Sequence, residues 1–184
     1  MNGRTIFLLV MIAFAALGSG ADNNTSHSDG WHAAAPRDEI RPQFDYLRTG
    51  GPDGESCLII AADDREGMHG YWKKSFAVTG GRPYRFFALR KVKNVASPRR
   101  SVVARVVWQD DGGKSVPRDK PVVSGYLPGF PPTAEPEYPT DKAMVADGWL
   151  EVSDSYIAPK QATRAVVELH LQWAPRGRVE WSRV

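Results

Sequence analysis

The sequence predicts an all-β protein, a two-layer antiparallel β-sandwich, on three observations. Apolar side chains recur at every second position in 102–108 and 165–173, the period of a strand with one dry and one wet side. Short apolar runs alternate with turn residues, and Gly (17) and Pro (14) are abundant, as in a turn-rich β protein. No stretch has a helical period long enough to support a parallel sheet. With 42% hydrophobic and 24% charged residues among 184, the chain can close a core, which excludes wholesale disorder.

The chain opens with Arg4, an apolar run from Ile6 to Leu17 and the small residues Gly18-Ser19-Gly20-Ala21. These are the three parts of a secretory signal peptide over 1–21, with cleavage expected after Ala21 and a secreted or periplasmic product. The run would span only about 18 Å as a helix, short of the roughly 30 Å of a bilayer, so no membrane attachment is expected after cleavage. Residues 22–43 read as a flexible linker, because the stretch from Asp22 to Gly30 is polar and without apolar period. Asn23 and Asn24 each head a glycosylation acceptor triplet.

A single β-sandwich module is expected over 44–184. Its first runs are Cys57–Ala62, Trp72–Val78 and Tyr84–Val92, with Gly80-Gly81 read as the hairpin turn between the last two. Val102, Ala104, Val106 and Trp108 share a face, and Asp110-Asp111-Gly112-Gly113 closes that strand with a turn. Ala165, Val167, Leu169, Leu171 and Trp173 form a dry face, opposite Glu168, His170 and Gln172. Each large side chain of that dry face stabilises by about 1.5–3 kcal/mol when buried, so a second sheet must cover it. Pro175-Arg176-Gly177 turns the chain into a last strand, Arg178–Val184. Between them, 115–147 reads as a Pro-rich loop: prolines 117, 121, 128, 131, 132, 136 and 139 exclude a central strand.

The chemistry is sparse. One cysteine excludes an internal disulfide and a Cys-rich zinc site, and Cys57 opens an apolar strand as a small buried hydrophobe would. The four histidines, His27, His32, His69 and His170, have no metal-ligand spacing, and no phosphate loop or nucleophile elbow is present. No catalytic residue is therefore assigned. Asp110 and Asp111 are the candidate metal ligands, for a structural Ca2+ that would need more oxygens than two. The net charge of +3 and the stretch from Arg82 to Lys93, where aromatics interleave with cations, leave a polyanion-binding module as an alternative; an acidic polysaccharide suits an exported protein, and nucleic acid is not expected.

Aromatic rings stack on the flat faces of sugars. Trp108, Trp149, Trp173 and Trp181 keep step with apolar neighbours and are read as core. The candidate ligand-binding residues are Tyr71, Tyr126, Phe130 and Tyr138, in turns or the Pro-rich loop, together with Trp72, and His170 on the wet side of its strand.

Three segments carry a resemblance. They are Trp72 to Phe86 through Gly80-Gly81, then Val106-Val107-Trp108-Gln109-Asp110-Asp111-Gly112-Gly113, then Gly148-Trp149-Leu150-Glu151-Val152 through Pro159 into 165–173, with Gly177 to Ser182 following. In this order they resemble carbohydrate-binding modules of the family 4/9/22 type, over about residues 55–184. The resemblance implies a galactose-binding-like jelly roll whose curved sheet binds a glycan. The last strand, Val179-Glu180-Trp181-Ser182, lacks the consecutive acids these modules often carry. Phe44-Asp45-Tyr46, Arg65 to Trp72 and Leu169 to Pro175 are also similar to the N-terminal module of secreted carbon–nitrogen (nitrilase-type) hydrolases. That likeness implies packing against a downstream catalytic domain, and a chain ending at Val184 as one part of a longer protein. The expected function is an exported, non-catalytic carbohydrate-binding or accessory module. The alternatives are a structural domain of such a hydrolase and the polyanion binder.

Overall fold

The structure, a computed structural model, describes residues 30–120, 132–145 and 147–184. The expected signal peptide, the linker as far as residue 29, and the candidate residues Tyr126 and Phe130 lie outside them. In chain order the strands are β1 His32–Ala34, β2 Gln43–Leu47, β3 Cys57–Ala61, β4 His69–Ala77, β5 Pro83–Lys93, β6 Ala104–Gln109, β7 Thr140–Met144, β8 Leu150–Ile157, β9 Arg164–Gln172 and β10 Arg178–Ser182, with one short helix, α1 Pro98–Ser101. They form a four-stranded sheet, β1-β4-β9-β6, and a six-stranded sheet, β2-β3-β10-β5-β8-β7. Every pairing is antiparallel. Among the described residues no helix is long and apolar enough to cross a membrane.

The core lies between the sheets because period-2 patterning gives each strand one apolar side. Ala165, Val167, Leu169 and Leu171 of β9 meet Leu58, Ile60, Ala88, Val179 and Trp181 from the other sheet in one cluster. Trp72 lies fully buried there, its indole N–H donating to the Ile59 carbonyl at 3.0 Å. Its reading as a ligand-binding residue is thereby corrected: β4 points Tyr71 outward and Trp72 inward, and the polar end of the ring is satisfied inside. Cys57, Ile59, Leu89 and Trp149 pack as a separate apolar cluster. Burial pushes the Cys57 thiol up to about 12, so it is a structural group and not a nucleophile.

The flexible linker expected over 22–43 does not extend through residues 31–43, which are ordered against the sandwich. Trp31 is only 4% exposed, edge-on to Phe76 at 6.3 Å, and β1 pairs with β4 through Ala33 opposite Trp72. β2 pairs with β3 along its whole length. A stretch with only two large apolar residues, Trp31 and Ile40, is ordered here by the partner strand and not by its own pattern.

Gly80-Gly81 is no hairpin turn. It carries the chain from β4 in one sheet to β5 in the other. Gly81 has φ 78°, and a Cβ on Gly80 would stand 2.0 Å from the Lys160 carbonyl oxygen. Glycine is required there for a crossing packed against a neighbouring turn.

The Pro-rich stretch 115–147 is likewise not wholly a loop. Val106 exchanges hydrogen bonds with Glu137, Ala134 N–H donates to the Val116 carbonyl, and β7 closes the edge of the six-stranded sheet. Side chains hold β7: Asp141 pairs with the buried Arg90 at 2.8 Å, and Thr140 donates twice to Asp154. Prolines are compatible with an edge position, where one side of the strand needs no partner.

Candidate ligand-binding face

β9 is a central strand, with β4 on one side and β6 on the other. Strand register therefore decides which side chains meet on the outer face of the four-stranded sheet. Tyr71 stands opposite His170, and Lys73 and Arg105 both stand opposite Glu168. The even-numbered side of β9, expected to be wet, is not: Val166, Glu168 and His170 are all buried. Long side chains from both flanking strands fold over it.

Glu168, 6% exposed, is the centre of a network. Its Oε2 accepts from Arg105 Nε at 2.7 Å and also from Arg105 Nη2, and lies 3.2 Å from His170 Nε2. His170 Nδ1 is in turn 3.0 Å from His69 Nε2. One proton per contact fixes the tautomers: His170 donates from Nε2 to the carboxylate, and its Nδ1 accepts from His69 Nε2. Burial pulls the Glu168 carboxyl upward, but the hydrogen bonds from His170 and Arg105 and the charge of Arg105 outweigh it and hold it below the ordinary glutamate value. Burial first, then the neighbouring His170 ring and the Arg105 charge, lower His69, which keeps it neutral as the network requires. The Tyr71 ring lies on His170 with centroids 4.6 Å apart. Burial and the Glu168 charge raise its hydroxyl, which stays protonated as a donor.

Two exposed aromatic rings bracket this network. Trp173 is 52% exposed and lies 6.4 Å from His69. The sequence reading had placed it in the core. β9 ends at Gln172, and Trp173 takes φ 52°, which swings its ring out of the sheet's alternation. A bulky residue in the left-handed region is strained, and such strain concentrates at functional sites. The Arg100 guanidinium sits 5.6 Å from the Trp173 ring, and Gln172 Nε2 donates to the Arg100 carbonyl at 3.0 Å, tying α1 to this end. At the other end stands Tyr138, 54% exposed, on the Arg105 side of the network. Hydrogen bonds connect His69, His170, Glu168 and Arg105 across the sheet, with Trp173 beyond His69 and Tyr138 beyond Arg105.

Of the residues expected to bind ligand, Tyr71, Tyr138 and His170 are brought together on this face. Asp110 and Asp111 are elsewhere, in the turn after β6, where Asp110 Oδ1 accepts the Lys114 N–H. Among the described residues no three His, Cys, Asp or Glu side chains converge as metal ligands. His69, Arg105, Glu168, Gln172 and Trp173 were not singled out from sequence as ligand-binding residues. The alternation of 164–172 signalled Glu168 and Gln172, but nothing local signals His69 and Arg105, which arrive by pairing across 101 and 63 residues.

Two other concavities lie apart from this face. A cavity of about 290 Å³ between the sheets is lined by Phe76, Phe86, Trp108, Tyr156 and Val167 and belongs to the core. A polar groove of about 620 Å³ beside Phe44 and Ile59 has Arg65 and Asp63 paired with each other at 2.8 Å.

Chemically, flat rings flanking hydrogen-bonding groups suit a sugar ring, which needs apolar contact on its faces and polar contact at its edge. The hydrogen bonds of His69 and His170 run to each other and to Glu168, and among the described residues no hydroxyl or thiol joins them as a nucleophile.

No protein-family profile matches the chain, and no curated protein matches it. Solved structures do match. The enzymatically active domain of tailspike protein 4 of bacteriophage CBA120 superposes with a TM-score of 0.55 at 10% identity, covering 84% of this chain and 19% of that one. The CBM22-1–GH10 modules of Clostridium thermocellum xylanase 10B, complexed with xylohexaose, superpose with a TM-score of 0.50 at 15% identity, covering 84% and 26%. The C-terminal family 22 carbohydrate-binding module of the same xylanase gives 0.49 at 12% identity, covering 86% and 85%. The chain thus spans about a fifth and a quarter of the first two proteins. At these identities the likeness is one of fold: the chain has the two-layer antiparallel jelly-roll sandwich that the family 4/9/22 resemblance implied.

Proposed function

We propose that this chain is a non-catalytic glycan-binding module that takes a polysaccharide on the outer face of its four-stranded sheet. The carrying observation is the pair of exposed rings, Trp173 and Tyr138, at the two ends of one buried hydrogen-bond network. Trp173 supplies a platform for a sugar ring. Tyr71, His69 and Gln172 supply donors and acceptors for hydroxyls. Glu168 and Arg105 fix the rotamers of their neighbours, so little side-chain entropy is lost when a ligand arrives. The module fold shared with a xylanase complexed with xylohexaose supports this reading.

The leader read in residues 1–21 supports an exported protein, which N-terminal sequencing of the secreted chain tests: a mature start after Ala21 is expected, and retention of Met1 contradicts it.

Binding is tested by affinity electrophoresis in gels containing xylan, β-glucan, mannan, polygalacturonate or dextran sulfate. Retardation by at least one polymer is expected, weakened at least about tenfold in Trp173→Ala, because a stacked aromatic is the kind of contact that dominates binding. No retardation by any polymer, or undiminished binding in Trp173→Ala, contradicts the proposal.

A further inference from the structure

The two sheets differ in charge balance: the strands of the six-stranded sheet hold five carboxylates against six cations, of which Lys91 and Lys93 are in no ion pair among the described residues. On the six-stranded sheet Arg85 pairs with Glu151, Arg90 with Asp141, Lys142 with Asp154 and Arg178 with Glu180. The four strands of the other sheet hold one carboxylate, Glu168, against four cations, Lys73, Lys74, Arg105 and Arg164. Glu168 is consumed by Arg105. Lys73 and Arg164 are exposed and have no carboxylate within salt-bridge distance among the described residues. Lys74 lies over the Trp31 and Phe76 rings, on the core side.

The excess sits where a ligand would lie. Lys73 is one strand from Glu168 on the side away from Arg105, in the same row. Strands are about 4.8 Å apart, so Lys73 and Arg105 flank the carboxylate at roughly 10 Å from each other. Arg105 keeps a third of its side chain exposed (33%), so it can serve Glu168 and still meet a ligand. At the Trp173 end, Arg100 places its guanidinium over one face of the ring, leaving the other face for a sugar. A sheet face with this balance repels nothing anionic and gives a neutral sugar no use for its unpaired cations.

We infer that the glycan taken by this face is an acidic polysaccharide, bearing carboxylate or sulfate groups held by Lys73, Arg105 and Arg100 while a sugar ring stacks on Trp173. The inference rests on the glycan-binding reading and narrows it to one substrate class. A sulfate or a uronate carboxylate offers the acceptor oxygens that guanidinium and ammonium groups bind best.

Calorimetric titration of the chain with polygalacturonate, dextran sulfate, neutral xylan, neutral β-glucan and single-stranded DNA tests it, each at about 20 mM and about 500 mM salt. The expected result is binding of polygalacturonate, dextran sulfate or both, at least about tenfold tighter than either neutral polymer and weakened at least about tenfold by salt. Whichever of the two binds more tightly identifies the anion. Lys73→Gln with Arg100→Gln lowers that affinity at least about tenfold while leaving the melting temperature unchanged, since both side chains are exposed. Equal or tighter binding of neutral polymers without salt dependence overturns the acidic class and leaves the glycan-binding proposal standing. Failure of every polysaccharide overturns both. DNA bound as tightly as the acidic polysaccharides, or dextran sulfate binding untouched by Trp173→Ala, overturns the inference in favour of unselective charge attraction.

Discussion

Replacing Glu168 by Gln keeps the shape of the side chain and removes its charge. The one oxygen that receives Arg105 twice and His170 once becomes a neutral carbonyl. A hydrogen bond to a charged group contributes about 1.5–3 kcal/mol, a neutral one about 0.5–1.5. Breaking a fully buried pair costs about 3–5 kcal/mol, but Arg105 is a third exposed and water can solvate its orphaned charge, so the loss falls below that range. The expected loss is about 2 kcal/mol, which for a domain of this size lowers the melting temperature by about 4–8 °C. The pH dependence gives a second reading. Glu168 titrates below its ordinary value of 4.5 in the folded chain. The unfolded chain therefore takes up the proton first, and the charged pair's contribution is complete above that pH and is lost as pH falls through the lower, folded value. Urea denaturation followed by tryptophan fluorescence, from about pH 7 down to about pH 3, should show the two proteins differing by a constant amount and then converging at the acid end. A difference below about 0.5 kcal/mol at neutral pH, or one that persists undiminished in acid, refutes the assignment of Glu168 as the charged centre of the face.

Three further outcomes are expected. Trp31→Ala destabilises by about 3–5 kcal/mol in the same assay, the cost of emptying a core tryptophan; a loss under about 1 kcal/mol would mean that the chain before β2 is a tether after all. Cys57, buried with its thiol pushed up to about 12, reacts with a thiol reagent only after denaturant is added, and rapid labelling of the native chain contradicts its place in the core. Gly80→Ala forces a methyl against the Lys160 carbonyl 2.0 Å away and costs about 1–3 kcal/mol by strain, a loss that native-like stability of the variant would disprove.

The sequence disclosed most where a pattern is local. The odd residues of β9 had to be buried because four apolar side chains at period two cannot face water together, and they pack against the opposite sheet. It disclosed least where partner choice decides. Gly80-Gly81 signals a reversal in either case, but whether β5 pairs with β4 or leaves for the other sheet depends on β9 and β10, which follow about 80 residues later. β1 is three residues long, and its place beside β4 comes from the Trp31 side chain finding Phe76. Trp173 was misread because alternation was carried one residue too far, past the point where a positive φ breaks it. The site divides in the same way. His170, Tyr71 and Tyr138 were legible as polar or aromatic groups off the core side. His69 and Arg105 became visible only when the register of β4 and β6 on β9 was known.

Chemical-shift mapping by NMR tests the central claim most directly. With xylan or polygalacturonate oligosaccharides added, the largest amide shifts should fall at Tyr71, Arg105, His170 and Gln172, and the indole N–H of Trp173 should move with them, while β5 and β8 stay still. Shifts confined to the six-stranded sheet, or none with either sugar, would contradict it.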